Sequence, residues 1–446
     1  MARTPLFSNL NNLLVRLFCL VLLSGTSSIA FSGIHRAPVI LKAKDLPDIA
    51  RYPIRAYRLY RSSYSGRAKS IPFQIDEVNH LGDYVLDHGK NNNKLSSNGY
   101  FDNLDELSFM GDDVGPAIRP KTWPDKKKPN LIFEVKLKGP EGKKQGAVYV
   151  GMFFSMGPPL NPDKYVVFDV NNDTIKTSRY EYAFDRKNYL VVKHIDMLKE
   201  NQERERIIDS STFFMKADLK YFLTVKANHR SVNSQLEAYK TGPVRSIVRV
   251  NFIYSFLNID FEVGMYTEVS FFSNSVILPA VIQNPIDGVK RLNSGSGFYY
   301  GFALKESPKE YQFETNMKPA IEEKRGILDF FALDKPTDKL FWASLIGKNS
   351  MMYVELRPSA SMLSKKNVPR VFLDNLASRE MKQRDNNDIL DLGQSPVNMA
   401  LYFDLTKFSE GEHLMAFQLF FENKKDKAII DSFKSLSQWT VTTDRI

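Results

Sequence analysis

Apolar and polar residues alternate with a period of two over much of this chain, the pattern of strands that set one face on a core. From Leu131 to Lys138, the residues Leu131, Phe133, Val135 and Leu137 share one face, while Ile132, Glu134, Lys136 and Lys138 share the other. The turn-forming run Gly139-Pro140-Glu141-Gly142-Lys143-Lys144 then leads into Ala147 to Phe154, which predicts a hairpin. A second hairpin is predicted between Val244 and Phe272. Val244, Val248, Val250, Phe252, Tyr254 and Phe256 occupy even positions, whereas Ile259, Phe261, Val263, Met265, Val269 and Phe271 occupy odd ones. Folding at Leu257-Asn258 pairs even with odd and brings both apolar sets to one side. It also sets Arg245 and Arg249 diagonally near Glu268, where they read as a solvated cross-strand charge ladder, with an anion-binding face as the alternative.

Further alternating runs fall at Tyr165 to Val170, Tyr189 to Val192, Tyr221 to Val225, Phe298 to Leu304, Phe341 to Leu345, Met351 to Leu356 and Met399 to Leu405. The last returns through Gly411 to Met415 to Phe421. Ile429, Ile430, Phe433 and Leu436 keep helical spacing, so a helix is predicted near Lys425 to Leu436, packed as a lid on a sheet. The fold class that follows is mainly β: antiparallel β-sandwich domains with a few short helices and a C-terminal helix. The 20 Tyr and 32 Phe agree, because aromatic side chains favour strands.

A chain of 446 residues exceeds one ordinary domain. The Pro- and Lys-rich stretch Pro116 to Pro129, with Lys126-Lys127-Lys128, interrupts the alternation, and a soft boundary is placed between it and Pro162. The organisation read from this is an N-terminal β domain over 31–160 and a larger β-sandwich over 161–446.

Residues 1–30 read as a cleaved secretory signal. Arg3 and Arg16 supply positive charge, Leu17 to Leu23 form an apolar run too short to span a bilayer, and Ser28-Ile29-Ala30 places small residues before a cut at Phe31. The single cysteine, Cys19, lies inside that run. The mature chain would be cysteine-free, which removes disulfides, thiolate metal sites and cysteine nucleophiles together. No later segment is apolar enough to be a membrane-spanning helix. The expected place is the periplasm or outside the cell.

The formal charge of +10 favours anionic neighbours such as acidic glycans, lipid headgroups or envelope phosphates, although colloidal solubility accounts for it equally well. The charge is dispersed, and nucleic acid is not an expected partner.

The most distinctive segment runs from Pro72 to Gly115. Gly99, Phe101, Asp102 and Asp105 match the sixth, eighth, ninth and twelfth positions of a calcium loop, whose glycine allows a sharp turn and whose last acid offers hard oxygen. Lys94, Ser96 and Asn98 occupy the first, third and fifth positions, so the first half departs from the pattern. Two readings stay open. In one, Ca²⁺ is held by Asn98, Asp102, Asp105, Asp112 and Asp113; in the other, an Asn- and Gly-rich turn leads into a carboxylate-capped helix.

With Pro72-Phe73-Gln74-Ile75-Asp76-Glu77 and Asp105-Glu106-Leu107-Ser108-Phe109-Met110, the segment resembles one that recurs in large exported bacterial proteins of unassigned activity. That resemblance implies an environment and no mechanism. The later β region is similar in texture to galactose-mutarotase-like and polysaccharide-lyase sandwiches.

His35, His80, His88, His194, His229 and His413 are scattered, and none forms a His-x-His or His-Glu-x-x-His set. His194, at the end of the run Tyr189-Leu190-Val191-Val192-Lys193, reads as structural. No Gly-x-Ser-x-Gly elbow or P-loop occurs. A polysaccharide lyase would need a base for the proton α to a uronate carboxyl, with cations to hold that carboxylate; His229, Arg245, Tyr299 and Tyr300 are the candidates. The reading adopted is a non-enzymatic exported protein that binds a glycan or another anionic envelope component. A lyase acting on acidic polysaccharides and a structural subunit of an envelope assembly with a protein partner are the alternatives.

Overall fold

The computed structural model describes residues 37–446 except 140–144, 200–202, 221–222, 230, 257–258, 285–286, 306–309, 316–317, 321–327, 332–340, 359–369, 374–398, 423–432 and 434–438. The segment read as a signal, nearly all of the two predicted turns and nearly all of the predicted C-terminal helix therefore lie outside the described residues. Phe433, the one described residue of that helix, is buried and stacks on Phe420 at 4.3 Å between ring centroids.

Strands make up 59% of the described residues, more than twice the share in an ordinary globular domain, and all their named pairings are antiparallel. They form four sheets. Nearer the N-terminus, Pro38–Lys42, Glu106–Met110 and Gln74–Asp76 make a three-stranded sheet. It faces a five-stranded sheet in the order Thr440–Arg445, Leu131–Lys138, Gln145–Met152, Tyr57–Ser62, Ala68–Ser70. Phe133, Val135 and Leu137, the predicted inner face, pack here with Leu107, Phe109 and Phe101. The last strand of the chain thus closes onto the first domain, and Trp439 just before it joins the same core.

The larger body is a sandwich of an eleven-stranded and a nine-stranded sheet. Every alternating run read from the sequence after residue 160 contains a strand of it. Its hub is Arg204–Leu219, a 16-residue strand that pairs with three others and whose polar sequence hides it from a period-two search. The hairpin Arg245–Phe256 with Ile259–Phe272 keeps the predicted parity, with Val248 opposite Val269 and Tyr254 opposite Phe261. Between the Ile253–Glu262 and Asn251–Tyr266 pairs the second strand carries two extra residues. An insertion of two preserves which side chains face inward while moving partners along, so Glu268 stands directly opposite Arg249 and Arg245 opposite Phe272.

A further link crosses between the bodies. His88–Gly89 adds a short strand to the edge of the nine-stranded sheet beside Ala238 and Tyr239. Gly89 has φ +107°, and a Cβ there would stand 2.4 Å from the Glu237 carbonyl oxygen, so only glycine allows this approach.

The inner faces of the two large sheets do not close completely. Aromatic and aliphatic side chains surround a cavity of about 160 Å³ between them. At about 24 cal/mol per Å³, such a void, if empty, forfeits roughly 4 kcal/mol of packing.

Candidate functional site

The outer face of the Arg245–Phe256 strand meets the acidic segment of the first domain in a buried charge cluster. Arg245 is 1% exposed. Its Nε donates to Asp76 at 2.7 Å and its Nη2 to Glu106 at 2.9 Å, while its guanidinium lies 4.7 Å from the Tyr84 ring centroid. Asp76 also takes Lys240 at 2.9 Å and the Gln74 side-chain amide at 2.8 Å. The Gln74 carbonyl oxygen accepts from the backbone N–H groups of Val244 and Arg245. Gly242 makes room for it, since a Cβ there would fall 2.0 Å from that oxygen. Burial pushes the Asp76 carboxyl up, but Arg245, Lys240 and Gln74 outweigh it and hold the group at about 2. Beside this set, Arg249 donates to Glu268 and to the Tyr84 carbonyl, and Glu268 accepts from the Tyr84 N–H.

The expected solvated ladder is therefore corrected: Arg245, Arg249 and Glu268 are all buried. The strand face that carries them is covered by Val78, Tyr84 and Leu86 from a segment some 160 residues earlier, so its charges serve to join two bodies. Every cation in the cluster meets a carboxylate, which leaves none for an external anion.

The rest of the acidic segment holds its own loop. Gly99 takes the predicted left-handed turn at φ +73°, and Phe101 is fully buried, edge-on to Tyr57. Glu77 accepts from the backbone of Asn98 and Gly99 and from Ser97. Asp105 accepts from the N–H groups of Val78 and Asp102, Asp102 from the Asn98 side chain, and Asp113 from the Tyr165 hydroxyl. The turn leads into the strand Glu106–Met110, not into the helix of the second reading. Asp102, Asp105, Asp112 and Asp113 belong to no set of three or more ligating side chains within 4.8 Å of one another; among the described residues that proximity is found at Glu181, His194 and Asp196. There, on the outer face of the eleven-stranded sheet, His194 Nε2 lies 3.8 Å from Glu181 and 3.7 Å from Asp196. Arg204 and Arg206 already neutralise the two carboxylates at 2.8 and 2.7 Å, which opposes a cation.

Burial pushes the Asp105 carboxyl up to about 7 and the Asp113 carboxyl up to about 6, against the hydrogen bonds they accept. The folded chain then keeps protons that the unfolded chain releases. Their contribution to stability is complete below the ordinary carboxylate range and is lost as pH rises through 6 and 7. Asp113→Asn retains an acceptor for Tyr165, so it is expected to stabilise the fold relative to wild type more near pH 8 than near pH 4. Urea denaturation at both pH values checks this, and equal differences would contradict it.

Three of the four lyase candidates, His229, Tyr299 and Tyr300, neighbour the Ser211 to Phe214 stretch of the hub strand, and Arg245 stands apart from them. Arg245 is in the buried cluster. His229 follows the strand Leu223–Asn228 of the other large sheet, with its Nδ1 2.7 Å from the Thr212 hydroxyl. Tyr300 lines the cavity, where its hydroxyl donates to the Leu190 carbonyl at 3.2 Å. The backbone of Tyr299 pairs with Phe214 and Tyr402. Tyr300 thus faces the interior between the sheets, while Arg245 stands on the opposite side of the nine-stranded sheet.

A surface site that sequence reasoning missed lies on the first domain. The rings of Tyr52 and Phe154 stack at 5.8 Å with 18° between planes, and Phe154 is 61% exposed. The loop behind them is fastened. The Phe154 N–H donates to Asn130, Arg58 holds the Pro158 carbonyl, and Asn161 holds that of Ser70. Met156 and Leu160 on the same loop are also exposed. Arg51 and Arg55 flank Tyr52, both exposed and with no acidic partner among the described residues. An exposed aromatic pair can stack on a sugar ring, and the exposed arginines before and after Tyr52 in the sequence are candidates to hold a carboxylate or sulfate. The available signals were Arg51-Tyr52-Pro53-Ile54-Arg55 and the adjacent pair Phe153-Phe154, one of which a strand must turn outward.

No family model and no curated protein matches this sequence. Among solved structures, an α-mannosidase from Enterococcus faecalis V583 aligns over 93% of this chain and 45% of its own, at 7% identity and a TM-score of 0.44. An aldose 1-epimerase-like protein from Escherichia coli K12 aligns over 56% of this chain and 98% of its own, at 7% identity and a TM-score of 0.28. This chain spans less than half the length of the mannosidase, and likenesses at these scores carry no inference about activity.

Proposed function

We propose that this chain is an exported, non-catalytic protein that binds an acidic polysaccharide of the cell envelope. The observation that carries the reading is the exposed Tyr52–Phe154 stack, whose Tyr52 lies between the exposed Arg51 and Arg55 in the sequence. Phe154, Met156 and Leu160 stand exposed together on this fastened loop, which supports a recognition surface. The net positive charge supports an anionic partner. The enclosure of Arg245 within its own ion pairs, and its separation from Tyr300, support binding over lyase chemistry.

The test is a panel of neutral and acidic glycans, including uronate polymers and lipopolysaccharide, probed with wild type and with Phe154→Ala. Wild type is expected to prefer acidic members, with affinity falling as salt rises. Phe154→Ala should weaken binding about tenfold, equivalent to about 1.4 kcal/mol, with its melting temperature unchanged. Absence of binding to every member, or unaltered binding by the variant, would overturn the reading.

A further inference from the structure

The cavity between the large sheets has the features of a second binding site, one for hydrocarbon. Leu190, Leu278, Phe298, Val354, Leu401 and Phe417 line it from both sheets and are only partly buried, although all stand on inner faces. Apolar surface is thus left accessible in the middle of the core, where packing would ordinarily remove it. The polar atoms around it are mostly turned away. Tyr300 donates to the Leu190 carbonyl, Thr267 to the Pro279 carbonyl, and Tyr189 to Asp173. A wall that offers so few partners does not retain water, and an apolar cavity of about 150 Å³ is large enough to hold benzene.

Tyr182 is the exception. It lines the same cavity at 6% exposure, its ring fixed edge-on between Phe184 and Phe271, and its hydroxyl makes no hydrogen bond among the described residues. An unpartnered hydroxyl on a buried side chain, its oxygen not sealed off from accessible space, marks a place where a partner is to be supplied.

We propose that this cavity binds a hydrocarbon group of the bulk of benzene or a six-carbon chain, carrying one polar atom that meets the Tyr182 hydroxyl. The class this describes is the short acyl or alkyl end of an amphiphile. The site is on the opposite side of the nine-stranded sheet from the buried charge cluster, and it does not depend on the Tyr52–Phe154 surface.

The experiment uses the whole chain with two probes, 1-hexanol and benzene, read by melting temperature and by calorimetric titration. Both are expected to raise the melting temperature in a saturable way. Tyr182→Phe should weaken hexanol about three- to tenfold and leave benzene unchanged. Val354→Phe, which fills the space, should abolish both responses while circular dichroism confirms the native sheet content. Failure of both probes to bind wild type would overturn the proposal, as would full binding by a folded Val354→Phe variant. Hexanol binding undiminished by Tyr182→Phe would overturn the role given to its hydroxyl.

Discussion

Replacing Arg245 by alanine is expected to cost about 3–5 kcal/mol of folding stability, the range for breaking a buried ion pair from one side. The loss arises less from the bonds removed than from the charges left behind. Asp76 is fully buried and Glu106 nearly so, and both would face a dry interior with Lys240, the Gln74 amide and Tyr84 left to answer them. The guanidinium also fills the space over the Tyr84 ring, which alanine would empty. Arg245→Lys should fall between, because an ammonium cannot serve Asp76 and Glu106 as a fork does. Urea denaturation of the three proteins decides the matter. A loss below about 1 kcal/mol for Arg245→Ala would mean that the cluster is wet and that the two bodies are joined by something else.

Trp439→Ala is expected to cost a similar amount, about 3–5 kcal/mol, through a different mechanism. Trp439 is 5% exposed and packs among the side chains between the two sheets of the first domain. It lies across Gly139, where a Cβ would come within 2.8 Å of its ring, so the hairpin end and the indole are fitted to each other. The strand Thr440–Arg445 that follows covers the edge of Leu131–Lys138. Removing the indole leaves a void that neighbouring backbone cannot fill. The same denaturation measurement reports it, and a neutral outcome would show that the C-terminus does not close the first domain.

These two sites also mark where the sequence was and was not legible. Alternation reveals which residues of a strand share a face: Phe133, Val135 and Leu137 share one core, and Val248, Val250, Phe252, Val269 and Phe271 share another, although Val244, read with the latter set, packs instead with Phe272, Ile40 and Met110. It does not reveal what covers the second face. Arg245 and Arg249 sit among polar neighbours and read as solvated because their cover, Tyr84 and its flanks, comes from a distant segment. Nor can periodicity detect an insertion of two residues, which leaves every inward position inward while shifting Glu268 along the strand. The segment from Pro72 to Gly115 stood out on its residues, but its sequence does not reveal that the acids Asp76, Glu77, Asp105 and Asp113 hold Arg245, backbone N–H groups and Tyr165, because those partners are set by folding. The Tyr52–Phe154 stack was illegible for a plainer reason: its two rings lie about a hundred residues apart, and only folding brings them together.

The central functional claim is that acidic polysaccharide is bound and not cleaved. It is tested most directly by incubating the chain with the uronate polymer it binds most tightly and following absorbance in the unsaturated-uronate band. The prediction is saturable binding with no gain in that band and no new chain ends. A steady gain that disappears in His229→Ala or Tyr300→Phe would contradict it and establish a lyase instead.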